Sequence, residues 1–249
     1  MKSPSTAGIR DLVRQTSVAV GLVVALAEMS VASRRDPDRA RRVANRWLKR
    51  LARLARVRFE TAGAVPTGLG TKVLVANHSS PLDIAAVLDA DPDVTFVAAA
   101  DLFRVPVLAG AMRALQTVPV NRRSSQPARL SLPEGLDTRR LKLTVFPEGG
   151  IAPAGERLPF RHSAFALAIE LQAEVVPVAI SGSAAVLPPK GHLRPRPGTV
   201  RVEFLEAIPT SGLTLDDRHQ LCRQVEQRLL GALGPEDGGY RSGPAGTAE

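Results

Sequence analysis

The sequence predicts an α/β fold that follows two N-terminal helices of a different character. From about residue 70, apolar runs of strand length alternate with segments of helical length, a pattern typical of a sheet with helices on its faces. The 249 residues are 44% hydrophobic and 23% charged, which is ordinary globular composition and excludes a wholly disordered chain. We therefore expect N-terminal helices over residues 1–60, an α/β domain over 61–233 and a disordered tail over 234–249.

The elements of the α/β part are set by apolar runs and by the residues that interrupt them. Pro81 suits the first turn of a helix, and residues 199–204 alternate between apolar and polar as an outer strand does. Strands are predicted at residues 72–76, 94–98, 117–120, 140–146, 174–180 and 199–204, and helices at 81–88, 105–115, 160–171 and 215–233.

A basic helix is predicted to begin at Asp36-Pro37, an N-cap followed by proline at the first helical position. Residues 34–58 hold eleven basic side chains and two acidic ones. The apolar residues recur at steps of three or four: Val43, Trp47, Leu51 and Leu54. Such a helix can lie on an anionic membrane with this stripe down, or it can pack the stripe on the core of the protein itself. The first alternative is preferred, and its candidate membrane-docking residues are Arg46, Trp47, Arg50 and Leu51.

An uncharged run over residues 15–27 precedes this basic helix. Thirteen residues make about 20 Å of helix, which is short of a hydrocarbon core of about 30 Å, and counting through Glu28 to Ser33 gives a marginal span of nineteen. Arg10 and Arg14 before the run also fit a cleaved signal peptide, although the dense arginine block after it argues against one. We favour a membrane-dipping helix followed by a surface helix, together an anchor.

The charge balance limits the classes of partner. The chain has 33 Lys+Arg against 24 Asp+Glu, a formal net charge of +9, so the expected partners are anionic. Nucleic acid is not expected, because aromatic residues make up only 4% of the chain and offer few stacking platforms. The one cysteine, Cys222, excludes an internal disulfide and a multi-cysteine metal site, and no metal site is predicted. Membrane lipids are the favoured anionic partner.

One pair of residues in the α/β part is suited to acid–base chemistry. His78 follows a predicted strand, and Asp83 lies five residues later in the next helix. The turn can bring the carboxylate to one ring nitrogen and leave the other to take a proton from an alcohol. The alternative is that Asn77 and Asp83 only satisfy backbone amides of the turn.

Four segments in order resemble the motifs of the glycerolipid acyltransferases, the family of bacterial lysophosphatidate acyltransferases. Asn77-His-Ser-Ser-Pro-Leu-Asp83 resembles the first motif, and Val118-Pro-Val-Asn-Arg122 the second. Phe146-Pro-Glu-Gly149 matches the third and Val175-Val-Pro-Val-Ala179 the fourth. The resemblance covers roughly residues 70–205, and the hydrophobic and basic N-terminal helices are similar to the membrane-docking pair of the family.

The resemblance implies a mixed sheet flanked by helices, and an O-acyltransferase on the cytoplasmic face of the cell membrane. His78 would be the general base, oriented by Asp83, for transfer of a fatty acyl group from acyl-CoA or acyl-carrier protein to a lysophospholipid, with no further cofactor. Glu148 would fix the acceptor or the loop that holds it, and backbone amides around Gly149 or at the helix start near Pro81 would stabilise the oxyanion. The substrate-binding candidates are Asn77, Arg122, Phe146, Pro147, Glu148, Gly149 and Arg161.

The chain departs from the family pattern in three places that bear on the acceptor. Gly150 and Ile151 replace a hydroxyl residue and an arginine of the third motif, and Ala99 stands where a lysine is usual. Arg161 is a possible substitute for these phosphate contacts. Lysophosphatidate remains the first choice of acceptor. Another lysolipid or a glycolipid, an inactive lipid-binding scaffold and a thioesterase are the alternatives.

Overall fold

A computed structural model describes residues 6–120, 138–151, 157–189 and 194–234. Within these ranges seven strands form one mixed sheet in the order β1-β7-β6-β2-β5-β3-β4. All neighbouring strands are parallel except β6 and β7. The strands are β1 (Val57–Gly63), β2 (Lys72–Ala76), β3 (Thr95–Ala99), β4 (Val118–Val120), β5 (Lys142–Val145), β6 (Glu174–Ser181) and β7 (Gly198–Phe204).

Helices cover both faces of the sheet. They are α1 (Thr6–Ala32), α2 (Pro37–Ala55), α3 (Leu82–Ala90), α4 (Pro106–Ala114), α5 (Ser163–Glu170), α6 (Ser183–Val186) and α7 (Arg218–Ala232), with short 3₁₀ helices at Ala100–Arg104, Thr138–Arg140 and Leu215–Asp217. Leu74 and Ala76 of β2 point to a core shared with α2, α3 and α4. Val73 and Val75 point to the other face, against α5 and α7. The predicted mixed sheet flanked by helices is confirmed.

The central strand β2 explains where a site can form. All five of its residues are buried, as expected for a strand covered on both faces. It runs parallel to β5 on one side and to β6 on the other, with Val73 beside Leu143 and Val175. The carboxyl ends of the three strands therefore meet at one edge of the sheet, which is where open α/β sheets bind ligands.

Strand β1 was not predicted. It pairs in parallel with β7 over its whole length, and the domain boundary expected at residue 60 falls inside it. The chain passes from α2 into this strand through Arg56, which ends the helix in the left-handed conformation with φ 57°. The short helix α6 was also not predicted. Most of the expected tail, residues 235–249, lies outside the described residues.

Helix α2 begins as predicted, because the Asp36 side chain accepts hydrogen bonds from the Asp38 and Arg39 backbone N–H groups. Three of the four residues of its apolar stripe, however, pack inward, whereas Leu54 is exposed. Val43 is 4% exposed, and Trp47 and Leu51 are partly buried against the core. The structure therefore corrects the preferred expectation for the stripe: Trp47 and Leu51 pack on the protein itself, because α1 lies over them at Gly21 and Glu28.

Helix α1 lies against α2 and α4. The Glu28 carboxylate accepts hydrogen bonds from the Trp47 indole at 2.6 Å and from Arg46, and these bonds lower the pKa of Glu28. Close packing on α4 depends on Gly110, because a Cβ there would lie 1.7 Å from Ser30 Oγ and 2.8 Å from its Cα. By length and composition, Gly8–Ala32 could also cross a membrane.

We expect Gly110→Ala to lower the free energy of unfolding by about 1–3 kcal/mol, because overpacking must separate α1 from α4. Gly231→Ala is the matched control. Gly231 lies in α7 and a Cβ there meets nothing within 4 Å, so this change should stabilise the protein by about 0.5–1 kcal/mol. Denaturant unfolding of both variants measures the difference. Equal effects would contradict the close approach of the two helices.

Candidate active site

The site is built around His78, the second residue after β2. Its Nδ1 lies 2.9 Å from Oδ2 of Asp83, in the first turn of α3. The same oxygen accepts the backbone N–H groups of Ser79 and Ser80, each at 2.8 Å, and the Asp83 side chain is wholly buried. Asp83 thus satisfies the amides of the turn and also holds the imidazole, so satisfying amides is not its only contact.

Two further contacts fix the His78 ring and its backbone. The ring stacks on Phe146, which follows β5, with centroids 4.1 Å apart and planes 19° apart. The His78 backbone N–H donates to both carboxylate oxygens of Glu148 at 3.2 Å. The side chain is 12% exposed. With Nδ1 held by Asp83, Nε2 is the nitrogen that can exchange a proton with a substrate.

Glu148 and Asn77 have structural partners. Glu148 is 4% exposed and binds the turn that carries His78, so of its two expected roles the structure supports fixing the loop. Asn77 is 2% exposed. Its Nδ2 donates to the Ile180 carbonyl at 2.8 Å, and its Oδ1 accepts the Ile180 N–H at 2.7 Å. The expectation that Asn77 binds substrate is corrected, because its amide ties β2 to β6.

The third motif forms a turn covered by Arg161. Gly149 has φ 71°, a conformation that favours glycine, and a Cβ there would lie 2.5 Å from Nε of Arg161. The Arg161 backbone N–H donates to the Pro147 carbonyl at 2.9 Å. Pro147 is buried while Arg161 is exposed. The structure thus brings an arginine to the motif that lacks one, whereas Arg122 lies outside the described residues.

The amides expected to stabilise an oxyanion already have acceptors. The Gly149 N–H donates to the Phe146 carbonyl at 3.0 Å. At the start of α3, the Leu82 N–H donates to Oγ of Ser80 at 3.1 Å, and the Ser79 and Ser80 amides bind Asp83 as described. In this arrangement, the N–H groups of Gly149, Ser79, Ser80 and Leu82 hold the turns together.

The comparisons with known proteins identify the family of the chain. A family profile described as Acyltransferase matches residues 56–181, a range that includes His78, Asp83 and Glu148. The chain belongs to the acyltransferase family. It is 37% identical over 151 residues to 1-acyl-sn-glycerol-3-phosphate acyltransferase beta of Homo sapiens, covering 58% of this chain and 53% of that protein. Over 167 residues it is 32% identical to the 1-acyl-sn-glycerol-3-phosphate acyltransferase of Saccharomyces cerevisiae, covering 65% and 55%.

The chain therefore spans about half the length of these curated relatives. A solved structure shares the acyltransferase fold: the 1-acyl-sn-glycerophosphate (LPA) acyltransferase PlsC from Thermotoga maritima, with a TM-score of 0.66 at 22% identity. The superposition covers 90% of this chain and 96% of that one.

Sequence reasoning missed several residues that build the site of this acyltransferase-family chain. Oγ of Ser79 lies 3.0 Å from Oγ of Ser183 at the start of α6, and Oγ of Ser80 donates to the Leu187 carbonyl at 2.7 Å. Both serines lie between His78 and Asp83, so their position in the first motif was the available signal. Their partners are more than a hundred residues away, and no local pattern identifies them.

Other reactive side chains lie away from this site. Cys222 of α7 is buried in the core on the opposite face of the sheet, and burial raises the pKa of its thiol to about 12. The thiol therefore stays protonated at neutral pH and is a core residue rather than a nucleophile. In the described part of the chain, no three His, Cys, Asp or Glu side chains are grouped so that they could hold a metal ion.

We expect Asn77→Ala to lower the free energy of unfolding, because it leaves a buried N–H and a buried carbonyl of Ile180 without this partner, at about 1–3 kcal/mol each. Asn45→Ala in α2 is the matched control. Its Oδ1 is buried without a hydrogen-bond partner among the described residues, so its loss should cost little. Denaturant unfolding distinguishes the two, and an Asn77→Ala variant as stable as Asn45→Ala would contradict the β2–β6 tie.

Proposed function

We propose that the protein is a membrane-associated O-acyltransferase that moves a fatty acyl group from acyl-CoA or acyl-carrier protein to the free hydroxyl of a lysophospholipid, with lysophosphatidate as the acceptor and phosphatidate as the product. The observation that carries the proposal is the His78–Asp83 pair at the carboxyl edge of β2. It is supported by relatives that are named as 1-acyl-sn-glycerol-3-phosphate acyltransferases.

The pair can act as an acyl-transfer base without a nucleophilic serine. Nε2 of His78 takes the proton of the acceptor hydroxyl as its oxygen attacks the thioester carbon. Asp83 accepts the Nδ1–H and stabilises the imidazolium that forms. The tetrahedral intermediate then collapses, the carbon–sulfur bond breaks, and the imidazolium returns its proton to the departing thiolate. The new ester and the free thiol are the products.

The phosphate of the acceptor needs a cation near this base. Arg161 is exposed and lies over Gly149, whose neighbour Glu148 contacts the His78 backbone. A charge-assisted hydrogen bond contributes about 1.5–3 kcal/mol, so one arginine in this position can replace much of what Ala99, Gly150 and Ile151 do not supply. Arg122 remains a proposed second contact for the phosphate. Phe146 stacks on the His78 ring, and the Pro147 carbonyl accepts the Arg161 backbone N–H.

The exposed face of α1 supports a membrane contact that does not cross the bilayer. Large apolar side chains on this face are exposed from one end of the helix to the other: Ile9, Leu12, Val13, Val20, Val23, Val24 and Val31. Their spacing, with repeats of seven and eleven residues, places them on one side of the helix. The opposite side packs on α2 and α4. Crossing would break that packing, whereas lying in the interface preserves it.

Sidedness and the roles of two arginines complete the membrane proposal. We place the protein on the cytoplasmic face, where acyl-CoA and acyl-carrier protein are available. Arg46 is exposed and pairs with Glu28, and the Arg50 guanidinium lies 5.4 Å from the centre of the Trp47 ring. Both arginines therefore have partners within the protein, and α1 rather than the stripe of α2 supplies the apolar contact with lipid.

The first test is thiol release from acyl-CoA by detergent-solubilised protein, with and without lysophosphatidate. We expect release that requires lysophosphatidate, and we expect His78→Ala to lower it by about 10²–10⁴-fold. His219→Ala, an exposed histidine at the start of α7, is the matched control and should keep the wild-type rate. Turnover retained in His78→Ala would overturn the mechanism, and acceptor-independent release would indicate a thioesterase.

The second test is co-sedimentation with liposomes. We expect Leu12→Glu/Val23→Glu to weaken binding to liposomes by more than about tenfold, because each apolar side chain that enters the lipid contributes about 1.5–3 kcal/mol. Leu171→Glu/Leu215→Glu is the matched control, since these leucines are exposed by 37% and 40% and lie at α5 and before α7. Equal loss in both double variants, or none in the first, would mean that the anchor is not this face of α1.

A further inference from the structure

A cavity of about 580 Å³ opens between the first turns of α1, the end of α2 and the segment before β7. Four arginines line it: Arg10, Arg14, Arg53 and Arg56. The lining also includes apolar Val13 and Leu54, which are 59% and 43% exposed. The cavity is therefore strongly basic and has apolar side chains at its mouth.

Most of this positive charge has no counter-charge among the residues that the structure describes. Arg14 pairs with Asp11, the acidic residue of the lining, and also donates to the carbonyls of Ala55 at 3.0 Å and Pro195 at 3.2 Å. For Arg10, Arg53 and Arg56 the described residues provide no side-chain hydrogen bond or ion pair. The carboxyl end of α2 attracts cations, which accounts for Arg53 and Arg56. It does not account for Arg10, which comes from another helix.

The topology places this cavity on the same sheet edge as His78. Ala76 at the end of β2 is level with Val178, Phe204 and Gly63. Val57 lies six residues from Gly63, or about 20 Å further in the direction in which β2 runs, and three strand spacings of about 4.8 Å separate β1 from β2 across the sheet. The arginines therefore lie beyond the carboxyl ends of the central strands, at the same end of the sheet as His78, and are distinct from the proposed acceptor site.

We infer that this cavity binds the phosphate of an anionic membrane phospholipid. The inference rests on the proposed membrane association and deepens it. An occupant must supply negative charge to the guanidinium groups of Arg10, Arg53 and Arg56 and apolar surface to Val13 and Leu54. Val13 follows Leu12 in α1, so this end of the exposed α1 face borders the cavity. A lipid phosphate with its acyl chains supplies both, and it holds the carboxyl edge of the sheet at the bilayer, where a lysolipid arrives at His78.

The test compares binding of the full chain to phosphatidylcholine vesicles and to vesicles that also contain phosphatidylglycerol. We expect wild type to prefer the anionic vesicles, and Arg10→Gln/Arg53→Gln to reduce that preference by at least about tenfold, as the loss of charge-assisted hydrogen bonds predicts. Arg34→Gln/Arg39→Gln is the matched control. It removes the same charge from exposed residues at the far end of the two helices and should change the preference only about twofold to fivefold.

The outcomes separate this inference from the membrane proposal. Equal losses in the two double variants, with wild type still bound, would overturn the cavity and leave the membrane association intact. Wild type that binds neither vesicle would overturn both. The last measurement adds free CoA, at constant ionic strength, to protein bound to the anionic vesicles. If it displaces wild type from anionic vesicles but not Arg10→Gln/Arg53→Gln, the cavity holds a soluble phosphate compound and the lipid assignment is wrong.

Discussion

The site depends on one carboxylate, the wholly buried side chain of Asp83. Its Oδ2 lies within hydrogen-bond distance of Nδ1 of His78 and accepts the backbone N–H groups of Ser79 and Ser80. Its Oδ1 is buried without a partner among the described residues. Three hydrogen bonds to one oxygen hold the imidazole, the turn after β2 and the first turn of α3 in a single arrangement. A change at Asp83 therefore disturbs the backbone of the turn as well as the His78 ring.

The parallel topology explains why residues from distant parts of the chain converge on His78. Strands β2, β5 and β6 end at one edge, so the residues that follow them are neighbours in space although about seventy and one hundred positions separate them. Phe146 and Glu148 reach His78 from β5, and Asn77 binds Ile180 of β6. The imidazole is thus positioned from three strands at once, and none of these contacts requires the turn itself to be stiff.

The sequence predicted the elements whose signal is local and missed those whose signal is not. Strand β2 is a continuous apolar run, and α2 has an N-cap at Asp36, so both were found. Strand β1 has only one buried residue in seven and exists because β7 lies beside it. The same limit applies to side chains. The first motif located His78 and Asp83, but the partners of Asn77 and Glu148 depend on the order of the strands in the sheet. Periodicity likewise predicted the apolar stripe of α2 but not the surface against which it packs.

Helices α1 and α2 belong to the core as well as to the proposed membrane surface. The stripe of α2 covers one face of the sheet, and α1 in turn packs on α2 and α4, so the apolar face left over is that of α1. An anchor that is also a structural layer cannot be removed without exposing the core. The Gly110–Ser30 and Glu28–Trp47 contacts also fix the position of α1 relative to the sheet. In the proposed membrane-bound state, a bilayer that holds α1 would set the distance from which a lipid hydroxyl approaches Nε2 of His78.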